Sequence, residues 1–353
     1  MRDLLTDYQL LKADGTPVGW AVVTSVWGSA PRAEGASLLA TADGRIAGSI
    51  SGGCVESAAA HEIKEAIQRG TPVMVSYGVT HERAWEVGLA CGGTIKVFVQ
   101  PVVPPEILAA AQGASGVVVA TVITTTSSAC KPGDSAVVQE NGVVTSQGWI
   151  GEAVRDAGLA ALRREASTTL ETKAPDGSPV TIFLEVFPRQ PKLVIFGGVH
   201  IAMALVPLAR SLGYRTIVAD GRQAFVTRER FPSADELLVA WPEEAFAKIG
   251  IDNATYVCVL SHDPKFDDPA LDLALRSAAP YIGAIGSRKT QAARRKRLHA
   301  EGFSDADLVR LHGPIGLDLG GRNPVETALA IMAEITMVRY GGSGRALAQL
   351  QPA

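Results

Sequence analysis

Two cysteines in this chain stand beside glycine pairs. The first lies in Ser51-Gly52-Gly53-Cys54-Val55-Glu56, the second in Gly88-Leu89-Ala90-Cys91-Gly92-Gly93. Glycines let successive backbone N–H groups turn toward one point, where they hold an anion or a small polar ligand. A thiol at the start of a helix is favoured as thiolate by the helix dipole, which makes it a nucleophile and a soft metal ligand. Ser51, Gly52, Gly53, Gly92 and Gly93 are therefore candidate ligand-binding residues, and Cys54, Cys91 and Glu56 candidate catalytic ones. The alternative is two small buried residues in tight turns. Cys130 and Cys258 lack such a setting, and Cys258 reads as the core of a strand. The four cysteines form no Cys-x-x-Cys pair. That spacing predicts neither a disulfide scaffold nor a structural zinc site.

A second constellation lies in the C-terminal half. The apolar run Lys192–Phe196 leads into Gly197-Gly198-Val199-His200-Ile201-Ala202 and then a helical pattern. Strand, glycine turn and helix in that order make a nucleotide-binding unit, with Gly197, Gly198 and His200 at the turn. Asp220 ends the next strand, where an acid accepts ribose hydroxyls. Val199 occupies the position of the second glycine of Gly-x-Gly-x-x-Gly/Ala, where a β-branched side chain obstructs a pyrophosphate. A Rossmann-type sheet that binds no dinucleotide is the alternative. Two later turns, at His262 and at Ser287-Arg288, follow strands at the carboxyl edge, the ligand-binding edge of such sheets. The Arg294–Arg297 run reads as a solvated basic helix face. No phosphate loop, His-Glu-x-x-His helix or Gly-x-Ser-x-Gly elbow is present.

The elements that must position these residues divide in two. Strand patterns at Trp20–Trp27, Ser37–Thr41, Arg45–Ser49, Val73–Tyr77 and Thr94–Gln100 surround a helix over Val55–Arg69. Asp43-Gly44 and Asn141-Gly142 are hairpin turns. Val117–Thr126 and Val180–Val186 read as strands and Ala153–Arg164 as a helix. An N-terminal α/β domain over 1–188 is predicted; the stretch after the stiff proline connector at 101–105 shares its α/β texture and is read as completing it, the alternative being a separate domain split off at the connector. Pro188-Arg189-Gln190-Pro191 is the linker. Beyond it, strands at Lys192–Phe196, Arg215–Ala219, Glu236–Ala240, Tyr256–Ser261 and Tyr281–Gly286 alternate with helices. That alternation predicts a Rossmann-like, doubly wound parallel sheet over 189–341, followed by a tail over 342–353. Asn323, Pro324 and Glu326 cap a last helix that runs to Tyr340.

Composition sets the class. The chain has 353 residues, 47% hydrophobic and 20% charged, with a net charge of −3. It is too apolar for a disordered chain and lacks the basic field that would draw it to nucleic acid or an anionic membrane. Residues 1–7 carry no apolar signal core, which predicts a cytoplasmic chain.

The motifs, in their order, resemble the xanthine dehydrogenase accessory factors, the XdhC/CoxI family. The resemblance rests on Trp27–Arg32, Ser51–Glu56 and Cys91-Gly92-Gly93 in the first half. In the second it rests on Phe196-Gly197 with His200, Arg230-Phe231-Pro232, Ser261-His262-Asp263, Gly286-Ser287-Arg288, Gly313–Asp318 and Asn323–Glu326. It implies a maturation factor that binds molybdenum cofactor, protects it, and assists its sulfuration and insertion into a molybdenum hydroxylase client of xanthine or carbon monoxide dehydrogenase type. A cysteine desulfurase partner and a homodimer go with that implication, as does molybdenum contact at Cys54. The runner-up is an NAD(P)-dependent oxidoreductase using the C-terminal sheet.

Overall fold

The computed structural model describes residues 1–28, 31–78, 93–146 and 148–349. The chain forms two compact units, Met1–Arg189 and Gln190–Ala353.

In the first unit, α1 (Leu5–Lys12) precedes β1 (Val18–Trp27), β2 (Ser37–Thr41) and β3 (Ile46–Gly48). Then come α2 (Glu56–Arg69), β4 (Val73–Tyr77), β5 (Thr94–Gln100) and α3 (Pro105–Gln112). A second series follows: β6 (Val117–Thr125), β7 (Ser135–Gln139), β8 (Val144–Ser146), α4 (Ile150–Arg164), β9 (Thr168–Lys173) and β10 (Pro179–Phe187). The two series build the same object twice. Their sheets run β3-β2-β1-β5-β4 and β8-β7-β6-β10-β9, and all described pairings are antiparallel.

The likeness extends to single hydrogen bonds. Gly35 N–H donates to Val23 O and Val23 N–H to Ala36 O; Gly133 N–H donates to Val122 O and Val122 N–H to Asp134 O. In each copy the ladder skips the next residue, Thr24 in β1 and Ile123 in β6. Such a bulge sharpens the twist of the strand. Asp43-Gly44 and Asn141-Gly142 close equivalent hairpins, each glycine donating its N–H back to the strand end at Thr41 or Gln139.

Alternation along the strands builds the layers. Ala21, Val23, Leu38, Val97 and Val99 face Ala59, Ile63 and Ala66 of α2. Trp20, Val22, Leu39 and Phe98, from the opposite face, pack with Val119, Ile123, Phe183 and Phe187 of the second sheet. That sheet's other face packs on Ile150, Val154 and Ala161 of α4. The result is helix, sheet, sheet, helix. Texture alone suggested α/β; the structure adds that these sheets are antiparallel and joined by hairpins.

The second unit contains β11 (Lys192–Phe196), α5 (His200–Ser211), β12 (Arg215–Asp220), β13 (Glu236–Val239), α6 (Pro242–Ile249), β14 (Thr255–Val259) and α7 (Pro264–Arg276). β15 (Tyr281–Ala284), α8 (Arg288–Ala300), α9 (Asp305–Leu308), β16 (Leu311–His312) and α10 (Pro324–Tyr340) complete it. Strand and helix alternate except between β12 and β13, and between α8 and α9. The sheet order is β13-β12-β11-β14-β15-β16, all parallel. This is the doubly wound order, with its reversal between β11 and β14. Helices α5 and α10 cover one face, while α6, α7 and α8 cover the other. Cys258 is fully buried in β14, as its sequence setting predicted. The α10 boundaries follow from its caps: Asn323 and Glu326 form a capping box, and Gly341 ends the helix in the left-handed region. Among the described residues no helix is long and apolar enough to cross a membrane.

Candidate functional site

In the first sheet β1, β3 and β4 run in one direction, against β2 and β5. The β1–β2 connection, the β3–α2 connection and the β4–β5 connection therefore leave the sheet at the same edge. These segments carry Trp27–Arg32, Ser49–Val55 and residues 78–93, the three motifs of this half. A Cβ added to Gly52 would lie 3.6 Å from Pro31, so two of them meet. Cys91 and Gly92 lie outside the described residues; Gly93, just before β5, is buried.

At this edge the second copy matches the β1–β2 connection in length, 126–134 against 28–36, but its other two connections are shorter. Residues 147–149 join β8 to α4, and Ala174–Ser178 makes the turn between β9 and β10. The two cysteine-bearing connections are thus longer in one copy of a repeated framework.

The Ser49–Val55 loop is wound round a carboxylate of its own. Glu56, the first residue of α2, accepts from Ser49 Oγ at 2.7 Å, Ser51 Oγ at 2.6 Å, and the N–H groups of Ser51 and Gly53, each at 2.9 Å. Ile50 and Val55 add their N–H groups, both at 3.2 Å. Burial alone would disfavour the charge, but the hydroxyls of Ser51 and Ser49 and the Ser51 N–H outweigh it. They hold the Glu56 carboxyl at about 2, far below its ordinary value. Gly52 and Gly53 have φ of +81° and +118°, which only glycine adopts readily.

The convergence of N–H groups read from the glycines is real, and Glu56 itself fills it. Gly52 gives its N–H to Ser49 Oγ at 2.9 Å. What the loop presents outward is Cys54. It is exposed, and its N–H is tied to Ser51 Oγ at 3.0 Å. Ser51 and Glu56 are buried beneath it.

The glycine turn of the second unit is also closed from within. A Cβ on Gly197 would lie 2.8 Å from the Ser261 nitrogen. Gly198 donates its N–H to Asp220 Oδ2 at 2.9 Å and accepts from Arg230 Nη2 at 2.7 Å. A Cβ on Gly198 would run into the Phe225 carbonyl. Arg222 grips Asp220 through Nε at 2.9 Å and Nη2 at 2.8 Å, and its guanidinium lies 3.7 Å above the Phe225 ring. Burial opposes ionisation of Asp220, yet the bonds from Arg222 and Gly198 keep its pKa below the ordinary value. The ribose acid of the sequence reading is engaged by its own loop, and the segment after β12 packs where a dinucleotide approaches the turn. His200 is exposed at the start of α5.

At the carboxyl edge of β14 and β15 a pocket of about 400 Å³ opens, lined by Ser261, His262, Asp267, Ser287, Arg294 and Arg297 among others. Two of these, His262 and Ser287, were expected; Arg288 is exposed beside it at the first position of α8. Ser261 Oγ donates to Asp267 Oδ1 at 2.6 Å. Asp267 is 3% exposed, and burial pushes its carboxyl up to about 6 in spite of Ser261 and Arg294.

Arg294 corrects the reading of a solvated basic face. It is only 6% exposed, and its Nη2 lies 3.7 Å from Asp267 Oδ2. Gln291, Arg294 and Leu298, three and four residues apart, form the buried stripe of α8. That spacing was the available signal, and the surrounding Arg and Lys residues obscured it. Among the described residues no cluster of three or more His, Cys, Asp or Glu is placed to hold a metal ion.

Known proteins share both halves of this arrangement. Residues 11–78 match the XdhC and CoxI family, and residues 193–335 match the XdhC Rossmann domain. The chain is similar to a Bacillus subtilis protein named as a probable xanthine dehydrogenase component, 29% identical over 325 residues, covering 90% of this chain and 92% of that one. It is also similar to the Escherichia coli molybdenum cofactor insertion chaperone PaoD, 26% identical over 319 residues, covering 90% of this chain and 82% of PaoD. A crystal structure described as a xanthine dehydrogenase from Bacillus halodurans shares the fold, with a TM-score of 0.74, 24% identity, and 99% and 97% of the two chains covered.

Proposed function

We propose that this chain, which belongs to the XdhC and CoxI family, is an accessory factor that binds molybdenum cofactor and delivers it to a molybdenum hydroxylase. The cofactor is cargo here rather than a resident group. It carries a soft dithiolene–molybdenum end and a hard phosphate end, and the chain offers a matching group for each. For a soft end the first unit offers Cys54, with Cys91 as a second thiol of the same half of the sequence. For an anion the second unit separately offers Ser287, Arg288 and His262. Ser51, Gly52 and Gly53 shape the Cys54 loop, which Glu56 holds, and Gly92 and Gly93 follow Cys91 in the sequence.

The observation that carries this reading is the presentation of Cys54. An exposed thiol sits on a loop whose hydroxyls and N–H groups are locked onto a buried carboxylate. A structural cysteine does not need that support, whereas a soft ligand that must meet a large cofactor does.

Protection of the cofactor, its sulfuration with a cysteine desulfurase as sulfur source, and residence in the cytoplasm complete the proposal. A client of xanthine or carbon monoxide dehydrogenase type belongs to the same reading. Helix α10 leaves Val325, Leu329 and Tyr340 exposed, which supports assembly as a homodimer. No comparable observation favours NAD(P) chemistry, since Phe225 and Asp220 occupy the glycine turn.

The test is the molybdenum content of the full chain purified from cells that make the cofactor, alongside the activity of its client. Wild type is expected to carry molybdenum and to raise client activity, and Cys54→Ser to lose both while keeping its melting temperature. Molybdenum-free wild-type protein, or full function in Cys54→Ser, would overturn the proposal.

A further inference from the structure

We propose that the first unit holds a second ligand site, a cavity at the start of α4 that binds a small flat cation of amidinium or guanidinium type. The cavity belongs to the second copy of the repeat, and the proposal does not rest on the cargo reading.

The repeat marks the place. Helices α2 and α4 both end on a left-handed residue, Gly70 and Glu165. Both bury the same stripe, Ala59, Ile63 and Ala66 in one and Val154, Gly158 and Ala161 in the other. Matched in this way, Trp149 stands at the position of Cys54 and Gly148 at that of Gly53. The two glycines share a positive φ, +79° and +118°. The framework position that presents a thiol in one copy therefore carries an indole in the other.

That indole lines a cavity of about 620 Å³, the size of a site for a small organic molecule. Helix α3 contributes Glu106 to the lining, the β6–β7 connection Asp134, β7 Ser135 and β8 Thr145. Among the described residues the lining holds no Lys, Arg or His, and Glu106 makes no ion pair or hydrogen bond. Asp134 is engaged through Oδ2, which accepts the Lys131 N–H at 2.9 Å.

Charge decides the class of ligand. The starts of α3 and α4 each bring roughly half a positive charge, which the two carboxylates exceed. The surplus is negative, so the cavity holds a cation rather than an anion. Tryptophan is the best aromatic partner for such a charge. A planar amidinium or guanidinium also matches a carboxylate through two parallel N–H···O bonds, and the hydroxyls of Ser135 and Thr145 accept further N–H donors. A metal ion would leave the indole and most of the volume unused.

The experiment is calorimetric titration of the full chain at pH 7 with benzamidine, with benzamide as its neutral counterpart of the same shape, and with acetyl-arginine amide. Benzamidine is expected to bind, and benzamide at least tenfold more weakly. Trp149→Ala should weaken benzamidine about tenfold and Trp149→Phe much less. Glu106→Gln, in the first turn of α3, should weaken it about fivefold and keeps the test open if Trp149→Ala fails to fold. Asp318→Asn, at an exposed carboxylate of the second unit, should change nothing. Absence of benzamidine binding, or equal binding of benzamide, would overturn the proposal. So would benzamidine affinity that is unchanged in Glu106→Gln and Trp149→Phe alike while Asp318→Asn lowers it. Tighter binding of acetyl-arginine amide than of benzamidine would put an arginine side chain of a protein in the cavity and overturn the small-molecule assignment.

Discussion

Ser51 donates to Glu56 twice, through Oγ to Oε2 at 2.6 Å and through N–H to Oε1 at 2.9 Å. The pair makes the carboxylate an internal anion round which the cysteine loop is wound. Replacing it with an amide turns part of that acceptor surface into a donor facing other donors. Glu56→Gln is therefore expected to destabilise the first unit by about 2 kcal/mol in chemical denaturation at pH 7, the cost of leaving buried donors unpaired. The sign with pH follows from a folded pKa of about 2 against an ordinary value of 4.5. Stability from this group is fully present above the ordinary value and is lost as pH falls from there toward 2. In Glu56→Gln that part of the acid limb should flatten. A variant with wild-type stability at pH 7 would show that the loop does not depend on the carboxylate.

Cys54 and Cys258 provide an internal comparison of thiols. Cys54 is exposed, whereas Cys258 is fully buried in β14, where burial pushes its thiol far up. Alkylation of native protein with iodoacetamide, read by peptide mass spectrometry, should modify Cys54 at least a hundredfold faster. Cys258 should react only on unfolding. Similar rates would mean that the β14 core opens readily or that the Cys54 loop is closed.

What could be read ahead of the structure depended on the range of the interaction. The α10 helix was legible from Asn323 to Gly341 because its caps are local hydrogen bonds with local residue preferences. The alternation after Pro191 was legible because parallel strands buried on both faces read as continuous apolar runs. The repeat in the first unit was not. Its two copies share Asp43-Gly44 and Asn141-Gly142, but their strand order comes from pairings between β1 and β5, or β6 and β10, that are distant in the chain. At the site, Cys54 stood out by its glycine neighbours. That Glu56 would take the N–H groups meant for a ligand was hidden, since an acid in the first turn of a helix is common. Arg294 was hidden among the other charged residues of α8, and only the packing of that helix separates it from Arg297.

Closure of the glycine turn yields a prediction that opposes the motif. By template, Val199→Gly restores Gly-x-Gly-x-x-Gly/Ala and should create a dinucleotide site. The structure places Phe225 against Gly198 and commits Asp220 to Gly198 and Arg222. Neither wild type nor Val199→Gly is then expected to bind NAD(H) or NADP(H) below about 1 mM in fluorescence titration, a weak-binding threshold near −4 kcal/mol. Tight binding by Val199→Gly would show that the valine, not the Phe225 segment, closes the turn.

Burial of Glu185 should be visible as a slope of stability near neutral pH. This residue lies on β10 between Phe183 and Phe187, on the face that packs against the other sheet, and is paired across the ladder with Val119. It is 3% exposed and its Oε2 has no hydrogen-bond partner. Burial pushes its carboxyl up from 4.5 to about 7. The folded chain therefore retains a proton that the unfolded chain releases between those two values. Stability from this group is fully present below the unfolded value and is lost as pH rises through the folded one. The full difference is about 3 kcal/mol, at roughly 1.4 kcal/mol per unit. Denaturant unfolding should show the first unit less stable at pH 8 than at pH 5.5, and Glu185→Gln should remove most of that slope, because the amide is neutral at both values. A slope that persists in Glu185→Gln would assign it to another group.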